Sequence, residues 1–393
     1  MSIAKQIEGY MSGASWIRKM FEEGAKLKAI HGAENVFDFS LGNPNVPPPP
    51  VFKQKLAEIV ASDETGSHAY MPNTGYPHVR QAIAAYLAKE HDTDITENDI
   101  LMTCGAAGGL NVTLKTLLDP GDEVLTPAPF FVEYKFYVEN HGGKLVPVKT
   151  RPDFTLDLKA IDAAFTKNTK AVIINSPNNP TGQIYSADSL NQLGSLLHEK
   201  SQECGRTIYL ISDEPYRKIV YDGNVVPSIF ACYPETILVT SYSKDLSIPG
   251  ERIGYIAVNP YASFRSDLIS GMSLANRILG FVNAPALMQR VVGEIQGASV
   301  DITPYARNRE LLCNGLADFG YEFAKPPGAF YLFARSPVAD DVAFVRALQE
   351  ERILTVPGSG FGGPGHFRIA YCVNERTIEG ALPGFERTIK KYK

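Results

Sequence analysis

Cysteine is scarce in this 393-residue sequence, which contains five scattered cysteines and no CxxC pair. Neither a disulfide framework nor a structural zinc site is therefore predicted, and a cytoplasmic location is the default expectation. No apolar run approaches the roughly eighteen residues of a membrane span, and residues 1–21 lack the hydrophobic core of a signal peptide. Positive charge is not in excess, because the sequence contains 38 Lys and Arg and 43 Asp and Glu, giving a net charge of −5. A nucleic-acid-binding surface is therefore not expected.

The composition that remains is that of an ordinary globular protein. Apolar residues make up 44% of the chain and charged residues 21%, values that exclude disordered and collagen-like proteins. A chain of this length suggests two or three domains, or one large domain with an appendage.

The middle of the chain alternates short apolar runs with amphipathic stretches. Seven runs predict strands that are buried on both faces: 99–103, 123–126, 144–148, 171–175, 207–212, 236–240 and 253–258. Amphipathic stretches such as 51–62, 79–90, 108–118 and 187–204 predict helices. This alternation indicates an α/β domain over 51–292, with a mostly parallel sheet sandwiched by helices.

The two ends of the chain predict a smaller α+β unit. The C-terminal part predicts helices at 303–319 and 340–350, a strand at 366–371 and a helix from 374 onward. The N-terminal part predicts a helix at 12–30 and a short strand at 37–41, followed by a proline-rich loop or hinge. We predict that 1–50 and 293–393 form one discontinuous small domain.

Residues that could bind a ligand or take part in catalysis follow several of the predicted strands. Ligands of open parallel sheets bind beyond the carboxyl ends of the strands. The residues in question are Ala106 and Ala107 after the first strand, Asn179 after the fourth, Asp213 and Tyr216 after the fifth, and Ser241, Ser243, Lys244 and Arg252 after the sixth. Each also fits an ordinary role: a tight turn, a helix cap or an exposed loop lysine. Together they place an anion cradle, an amide, an acid, a lysine and an arginine on one rim, which packing alone does not explain.

This set of groups matches the chemistry of pyridoxal phosphate. A lysine amine forms a Schiff base with a carbonyl, and this cofactor supplies one. Its phosphate needs N–H donors, hydroxyls and an arginine. Its ring nitrogen needs a carboxylate, and its phenolic oxygen needs neutral donors, which Tyr216 and Asn179 could be.

The same strings give the chain a resemblance to the pyridoxal-phosphate-dependent aminotransferases of classes I and II, the aspartate aminotransferase-like fold type I. They are Asn-Asn-Pro-Thr-Gly at 178–182, Ser-Asp-Glu-Pro-Tyr at 212–216 and Ser-Tyr-Ser-Lys at 241–244, with an arginine eight residues further on. The match extends over nearly the whole chain, from Leu-Gly-Asn-Pro at 41–44 to Phe-Arg-Ile-Ala-Tyr at 367–371. The resemblance implies an enzyme that moves an amino group from an L-amino acid to a 2-oxo acid.

The resemblance also implies a role for each matched residue. Lys244 would form the Schiff base with the cofactor and move the Cα proton, and Asp213 would pair with the ring nitrogen. Tyr216 and Asn179 would hold the phenolic oxygen. The phosphate would be bound by the amides of Ala106 and Ala107 with Ser241, Ser243 and Arg252, while Phe131 would stack on the ring.

The substrate side and the neighbouring subunit complete the implied site. Arg368 would bind the α-carboxylate, with the backbone of Gly42 and the side chain of Asn179 close to it. Arginine suits this role because its planar fork pairs with both carboxylate oxygens. Tyr70 matches a tyrosine that reaches the phosphate from a second subunit, which implies a homodimer. For Phe131 and Tyr70, ordinary packing is the alternative.

The substrate and the exact reaction stay open. Arg277 lies near the position of the second arginine in aspartate-selective members, but its spacing differs by about one residue, so a helix-surface role is the alternative. Tyr331 and Phe330 could instead line an aromatic or aliphatic pocket. Aspartate and 2-oxoglutarate are candidate substrates. A pyridoxal-phosphate-dependent β carbon–sulfur lyase on the same fold is the alternative activity.

Overall fold

Helices and strands alternate along the computed structural model, which describes residues 3–12, 16–62 and 64–392. The strands in these ranges are β1 Phe37–Asp38, β2 Ile100–Thr103, β3 Glu123–Ala128, β4 Lys144–Lys149, β5 Thr169–Asn175, β6 Tyr209–Asp213, β7 Thr236–Ser241, β8 Gly254–Val258, β9 Tyr331–Arg335, β10 Ile353–Leu354, β11 Val356–Pro357 and β12 His366–Ala370. The α-helices are α1 Lys5–Ser12, α2 Trp16–His31, α3 Pro50–Ala61, α4 Pro77–His91, α5 Gly105–Leu117, α6 Glu133–Asn140, α7 Leu158–Ala164, α8 Ala187–Cys204, α9 Arg265–Ile278, α10 Ala286–Glu294, α11 Thr303–Phe319, α12 Asp341–Glu350 and α13 Glu375–Lys390.

The predicted mostly parallel sheet is confirmed. Seven strands form it in the order β2-β8-β7-β6-β5-β3-β4, and only β8 runs antiparallel to its neighbours. All seven predicted strands belong to this sheet, and their ends differ from the prediction by at most two residues. Every residue of β2, β6 and β8 is buried, as expected for strands covered by helices on both faces.

The helix predictions succeed where an apolar stripe is long. The predicted helices at 187–204 and 303–319 coincide with α8 and α11, and α3 and α4 each begin at a proline that suits the first helical turn. The N-terminal prediction is less accurate: α1 and α2 occupy Lys5–Ser12 and Trp16–His31, and positions 13–15 lie outside the described residues. Of the helices in the described ranges, five were not predicted, namely α1, α6, α7, α9 and α10. No helix in the described part of the chain is long and apolar enough to cross a bilayer.

A second layer joins the N-terminal segment to the C-terminal third. β1 pairs in parallel with β10, and β11, β12 and β9 form a three-stranded antiparallel sheet. Of the predicted strand at 37–41 only Phe37–Asp38 forms regular pairing. The Phe39 N–H donates to the carbonyl of Leu354, and the Phe39 carbonyl accepts from the Ala370 N–H. Phe39 is buried in one hydrophobic cluster with side chains of β9, β12 and α13. The predicted domain boundaries at 50 and 293 stay a prediction.

The topology brings the carboxyl ends of three parallel strands together. β5, β6 and β7 are adjacent, and they end at Asn175, Asp213 and Ser241. α5 begins directly after β2, two strands from β7 in the same sheet. Strand β12 of the smaller sheet carries Arg368 toward the same place.

Candidate active site

One cleft of about 290 Å³ collects nearly every residue predicted for the site. Its lining includes Gly42, Ala106, Ala107, Phe131, Asn179, Asp213, Tyr216, Ser241, Ser243, Lys244, Arg252 and Arg368. Tyr70 is the exception: its side chain is 91% exposed and lies outside the cleft of this chain. Arg277 is exposed near the end of α9 and does not line the cleft either.

Lys244 presents a basic amine inside the cleft. Its Nζ donates a hydrogen bond of 2.8 Å to the carbonyl of Gly42 and lies 5.7 Å from the ring centroid of Phe330. Burial lowers the pKa of Lys244 to about 8, with the positive charges of Arg368 and Arg252 acting in the same direction. An amine with this pKa has a far larger neutral fraction near physiological pH than an ordinary lysine, and a nucleophile or general base reacts through that neutral form.

Asp213 is a buried carboxylate, and only one of its two oxygens accepts a hydrogen bond in the described ranges. The hydroxyl of Tyr134 donates to Oδ2 at 2.6 Å, whereas Oδ1 has no hydrogen-bond partner in the described ranges. Burial raises the pKa of Asp213 to about 7, although the Tyr134 hydrogen bond opposes this. A buried carboxylate is costly without a cation. Oδ1 is therefore suited to a protonated ring nitrogen such as that of pyridoxal phosphate.

Arg368 is held rigidly in the cleft wall. Its Nη1 donates to Asn179 Oδ1 at 3.0 Å and its Nη2 donates to the carbonyl of Ser40 at 2.6 Å. Its guanidinium carbon lies 4.7 Å from the ring centroids of both Tyr331 and Phe361. Burial lowers the pKa of Arg368 from its very high ordinary value. A guanidinium fixed by aromatic rings and hydrogen bonds is a preorganised site for a carboxylate.

The predicted donors to a phenolic oxygen lie beside Arg368. Because Asn179 Oδ1 accepts from Arg368, the amide nitrogen of Asn179 is the part left to donate to a ligand. Tyr216 is buried, and its hydroxyl lies 2.8 Å from the hydroxyl of Tyr331. Burial raises the pKa of Tyr216 well above its ordinary value, so the hydroxyl stays protonated and can donate.

The N-terminus of α5 forms the opposite end of the cleft. Gly105 adopts a φ of +72°, and Ala106 and Ala107 in the next positions line the cleft. The first amides of a helix have no partner within the helix and attract anions. Ser241, Ser243 and Arg252 line the same cleft, and Arg252 keeps donors in addition to the Nη1 that donates to the Pro249 carbonyl at 2.9 Å. These groups together fit a phosphate.

Three neighbours of the predicted residues were missed. Tyr134 and Tyr137 lie on α6, which the sequence did not predict, and Asn175 ends β5. Asn175 Nδ2 donates to the carbonyl of Asp213 at 2.7 Å, and Asn175 Oδ1 accepts from the Asn179 N–H at 2.6 Å. A polar residue at the end of an otherwise apolar strand was the available signal for Asn175. For Tyr134 there was no comparable signal, because its role depends on contact with Asp213.

Comparison with known proteins gives one consistent result. A family model described as "Aminotransferase class I and II" matches residues 34–384. A probable aspartate aminotransferase of Methanocaldococcus jannaschii is 34% identical, over 82% of this chain and 85% of the relative. An aspartate/prephenate aminotransferase of Thermus thermophilus is 32% identical, over 88% and 89%.

Solved structures agree with the sequence relatives. An amino transferase from Eubacterium rectale has a TM-score of 0.97 and 42% identity, covering 100% of both chains. The aspartate aminotransferase from Thermus thermophilus with maleate has a TM-score of 0.86 and 27% identity, covering 99% of this chain and 100% of that one. The similarity therefore includes both sheets and the cleft between them.

Proposed function

Because this chain belongs to the class I and II aminotransferases, we propose that its cleft binds pyridoxal phosphate and that the residues described above carry out amino-group transfer. The chain is an aminotransferase, and enzymes of its family depend on this cofactor and act on amino acids and 2-oxo acids. The observation that carries the assignment of the cleft is the unpartnered Oδ1 of buried Asp213, in one cleft with the amine of Lys244.

The residues divide among the parts of the cofactor. Asp213 would hold the ring nitrogen protonated, and Tyr216 and Asn179 would donate to the phenolic oxygen. The phosphate would be held by the amides of Ala106 and Ala107 with Ser241, Ser243 and Arg252, at the N-terminus of α5. Phe131 would stack on the ring. When bound, pyridoxal phosphate supplies a carbonyl that joins the substrate amine and a ring that accepts the electron pair of Cα.

The substrate is handled by Arg368, Gly42 and Lys244. Arg368 would bind the α-carboxylate through its guanidinium, with the backbone of Gly42 beside it. Lys244 would then take the proton from Cα and deliver it to the cofactor side, because its lowered pKa makes the amine available as a base near neutral pH. The same groups act in the reverse order when a second 2-oxo acid is aminated.

Aspartate is the proposed amino donor and 2-oxoglutarate the proposed acceptor. The support is the printed names of the relatives, which include aspartate aminotransferases and aspartate/prephenate aminotransferases. Arg277 gives no support to a side-chain carboxylate site in this chain, since it lies outside the cleft. The β carbon–sulfur lyase alternative is not favoured, because these relatives are all named as aminotransferases.

We further propose that the active form is a homodimer in which Tyr70 of one subunit reaches the phosphate bound by the other. The supporting observation is that Tyr70 is 91% exposed in the single chain, which is unusual for a large aromatic side chain. Its surroundings are considered below at the scale of the whole molecule.

Near-visible absorption spectra of the purified protein test this proposal. We expect pyridoxal phosphate to give a band that L-aspartate bleaches and 2-oxoglutarate restores, and we expect Lys244→Ala to change the band and prevent the cycle. A band that is bleached only by another amino acid would overturn aspartate as the amino donor. Release of pyruvate and ammonia without an acceptor would favour the lyase. No band after addition of the cofactor would overturn the assignment of the cleft.

A further inference from the structure

Tyr331 contacts three of the proposed site residues, although none of the roles above uses it. It is buried at the start of β9, and its hydroxyl lies 2.8 Å from that of Tyr216. Its ring lies 4.7 Å from the guanidinium carbon of Arg368. Its hydroxyl oxygen lies 1.9 Å from the position that a Cβ on Gly42 would occupy. Gly42 in turn accepts the hydrogen bond of Lys244.

The hydrogen bond between the two tyrosines has a defined direction once a ligand is bound. Each hydroxyl carries one hydrogen and can accept through its oxygen. If Tyr216 donates its hydrogen to the phenolic oxygen of the cofactor, only Tyr331 can donate within the pair. A hydroxyl that accepts a hydrogen bond becomes a stronger donor. The Tyr331 hydroxyl is therefore suited both to orient the Tyr216 hydroxyl and to strengthen its donation.

The ring of Tyr331 acts on a different group. The guanidinium of Arg368 contacts the rings of Tyr331 and Phe361 at equal distances of 4.7 Å. Aromatic faces attract a guanidinium and fix its plane, and the effect is larger where water is excluded. The ring of Tyr331 itself is supported by the rings of Phe330, at 5.0 Å, and Tyr216, at 5.6 Å.

We propose that Tyr331 is a positioning residue with two separable functions: its hydroxyl directs Tyr216 toward the phenolic oxygen of the cofactor, and its ring sets the plane of Arg368 for the substrate carboxylate. This inference rests on the proposed function. It also accounts for glycine at position 42, because any side chain there would displace the Tyr331 hydroxyl.

Tyr331→Phe tests the first function, because it removes the hydroxyl and keeps the ring. A weaker donor at the phenolic oxygen stabilises its negative charge less, so the oxygen takes up a proton at higher pH. We expect the pH midpoint of the near-visible cofactor band to rise by up to about one pH unit. We also expect kcat to fall about three- to tenfold with little change in KM for the amino acid.

Tyr331→Leu tests the second function, because it removes the ring as well. Compared with Tyr331→Phe, it should raise KM for the amino acid about tenfold further, since Arg368 loses one of its two aromatic contacts. If this variant fails to fold, the spectral test on Tyr331→Phe still decides the first function.

Tyr305→Phe is the matched control. Tyr305 is buried and its ring also packs on Phe330, at 5.4 Å, but its hydroxyl lies near the backbone of Asn45 and Val46 and forms no side-chain hydrogen bond in the described part of the chain. Removing that hydroxyl should leave the spectrum, kcat and KM unchanged. An unchanged pH midpoint in Tyr331→Phe, or the same change in both variants, would overturn the inference. If the wild-type protein shows no cofactor band after pyridoxal phosphate is added, the proposed function itself would be overturned.

Discussion

Asp213 illustrates how a residue proposed to bind a cofactor can reduce the stability of its own fold. Its folded pKa of about 7 lies above its ordinary value of 3.8, because the carboxyl group is buried. The stability that the neutral, protonated carboxyl group allows is therefore fully present below about pH 3.8. It is lost as pH rises through 7, where the buried group ionises. In the cofactor-free protein above pH 7, the ionised carboxylate should cost on the order of 4 kcal/mol.

We predict that Asp213→Asn stabilises the cofactor-free protein, with a larger effect at pH 8.5 than at pH 5. At pH 5 the wild-type carboxyl group is mainly neutral and resembles the amide, whereas at pH 8.5 only the wild type carries a buried charge. Unfolding temperatures of both proteins at both pH values measure the difference. Pyridoxal phosphate should reverse the order, since the carboxylate then has its cation. A difference that does not depend on pH in the cofactor-free state would contradict the prediction.

Lys244 is the residue whose loss should affect chemistry most. We predict that Lys244→Ala lowers kcat for transamination by at least about a thousandfold, because no other lysine among the described residues lines the cleft to move the Cα proton. Lys149→Ala, which removes an exposed lysine at the end of β4, is the control and should retain wild-type turnover. Turnover of Lys244→Ala near the wild-type rate would exclude Lys244 from the proton transfer.

At the scale of secondary-structure elements, the sequence predicted most of the residues that line the proposed cofactor side of the cleft. Asp213 and Ser241 end strands that run parallel and adjacent, and Lys244 follows closely, so their order along the chain already implied proximity. α6 was missed because its eight residues include two tyrosines, a phenylalanine and a valine, which favour strands as much as a helix. Packing decided its conformation, and with it the position of Tyr134.

The start of α5 offers a test of the phosphate site at this scale. Gly105 has a φ of +72°, and a Cβ there would lie 3.0 Å from Nη2 of Arg252. We predict that Gly105→Ala raises the Kd for pyridoxal phosphate about tenfold, because it strains the first turn and displaces Arg252. The affinity of the cofactor-free protein for inorganic phosphate should fall in the same direction.

Gly121→Ala separates backbone strain from the loss of the phosphate site. Gly121 has a φ of +94° and no atom within 4 Å of its would-be Cβ. Both variants should lower the unfolding temperature, since alanine is disfavoured at positive φ. Only Gly105→Ala should weaken cofactor binding. Equal affinities in the two variants would argue against a phosphate at the N-terminus of α5.

At the scale of the whole molecule, the substrate side depends on contacts between distant parts of the chain. Arg368 donates to the carbonyl of Ser40, and the Phe39 segment lies between Leu354 and Ala370. The sequence identified Arg368 as a candidate carboxylate-binding residue through the string Phe-Arg-Ile-Ala-Tyr at 367–371. It did not specify these contacts, because periodicity reports which face of an element is apolar and leaves its partner undetermined. The same holds for Tyr331, whose partners Tyr216 and Arg368 are brought together only by the packing of the two sheets.

The surface around Tyr70 supports an interface at this scale. The neighbouring segment is held in place, since Asn283 Nδ2 donates to the Pro72 carbonyl at 3.0 Å and Asn276 Nδ2 donates to the Asn73 carbonyl at 3.4 Å. Leu274 and Ile278 on α9, the helix that carries Asn276, are 50% and 58% exposed. An exposed tyrosine on an anchored segment, together with exposed apolar side chains on the helix that anchors the segment, is typical of a surface that another subunit covers.

We therefore predict that the protein is a dimer in solution and that Tyr70 and Lys244 of one active site come from different subunits. Tyr70→Ala and Lys244→Ala, each poorly active alone, should complement each other when co-expressed. Half of the dimers in an equal mixture are hybrids with one intact site, so activity should approach about a quarter of the wild-type value. Light scattering measures whether the protein is a dimer. The activity of the hybrid, purified through a different tag on each subunit, measures whether the active site is shared. A monomer of 43.0 kDa, or a hybrid no more active than the mean of its parents, would show that each chain forms its site alone.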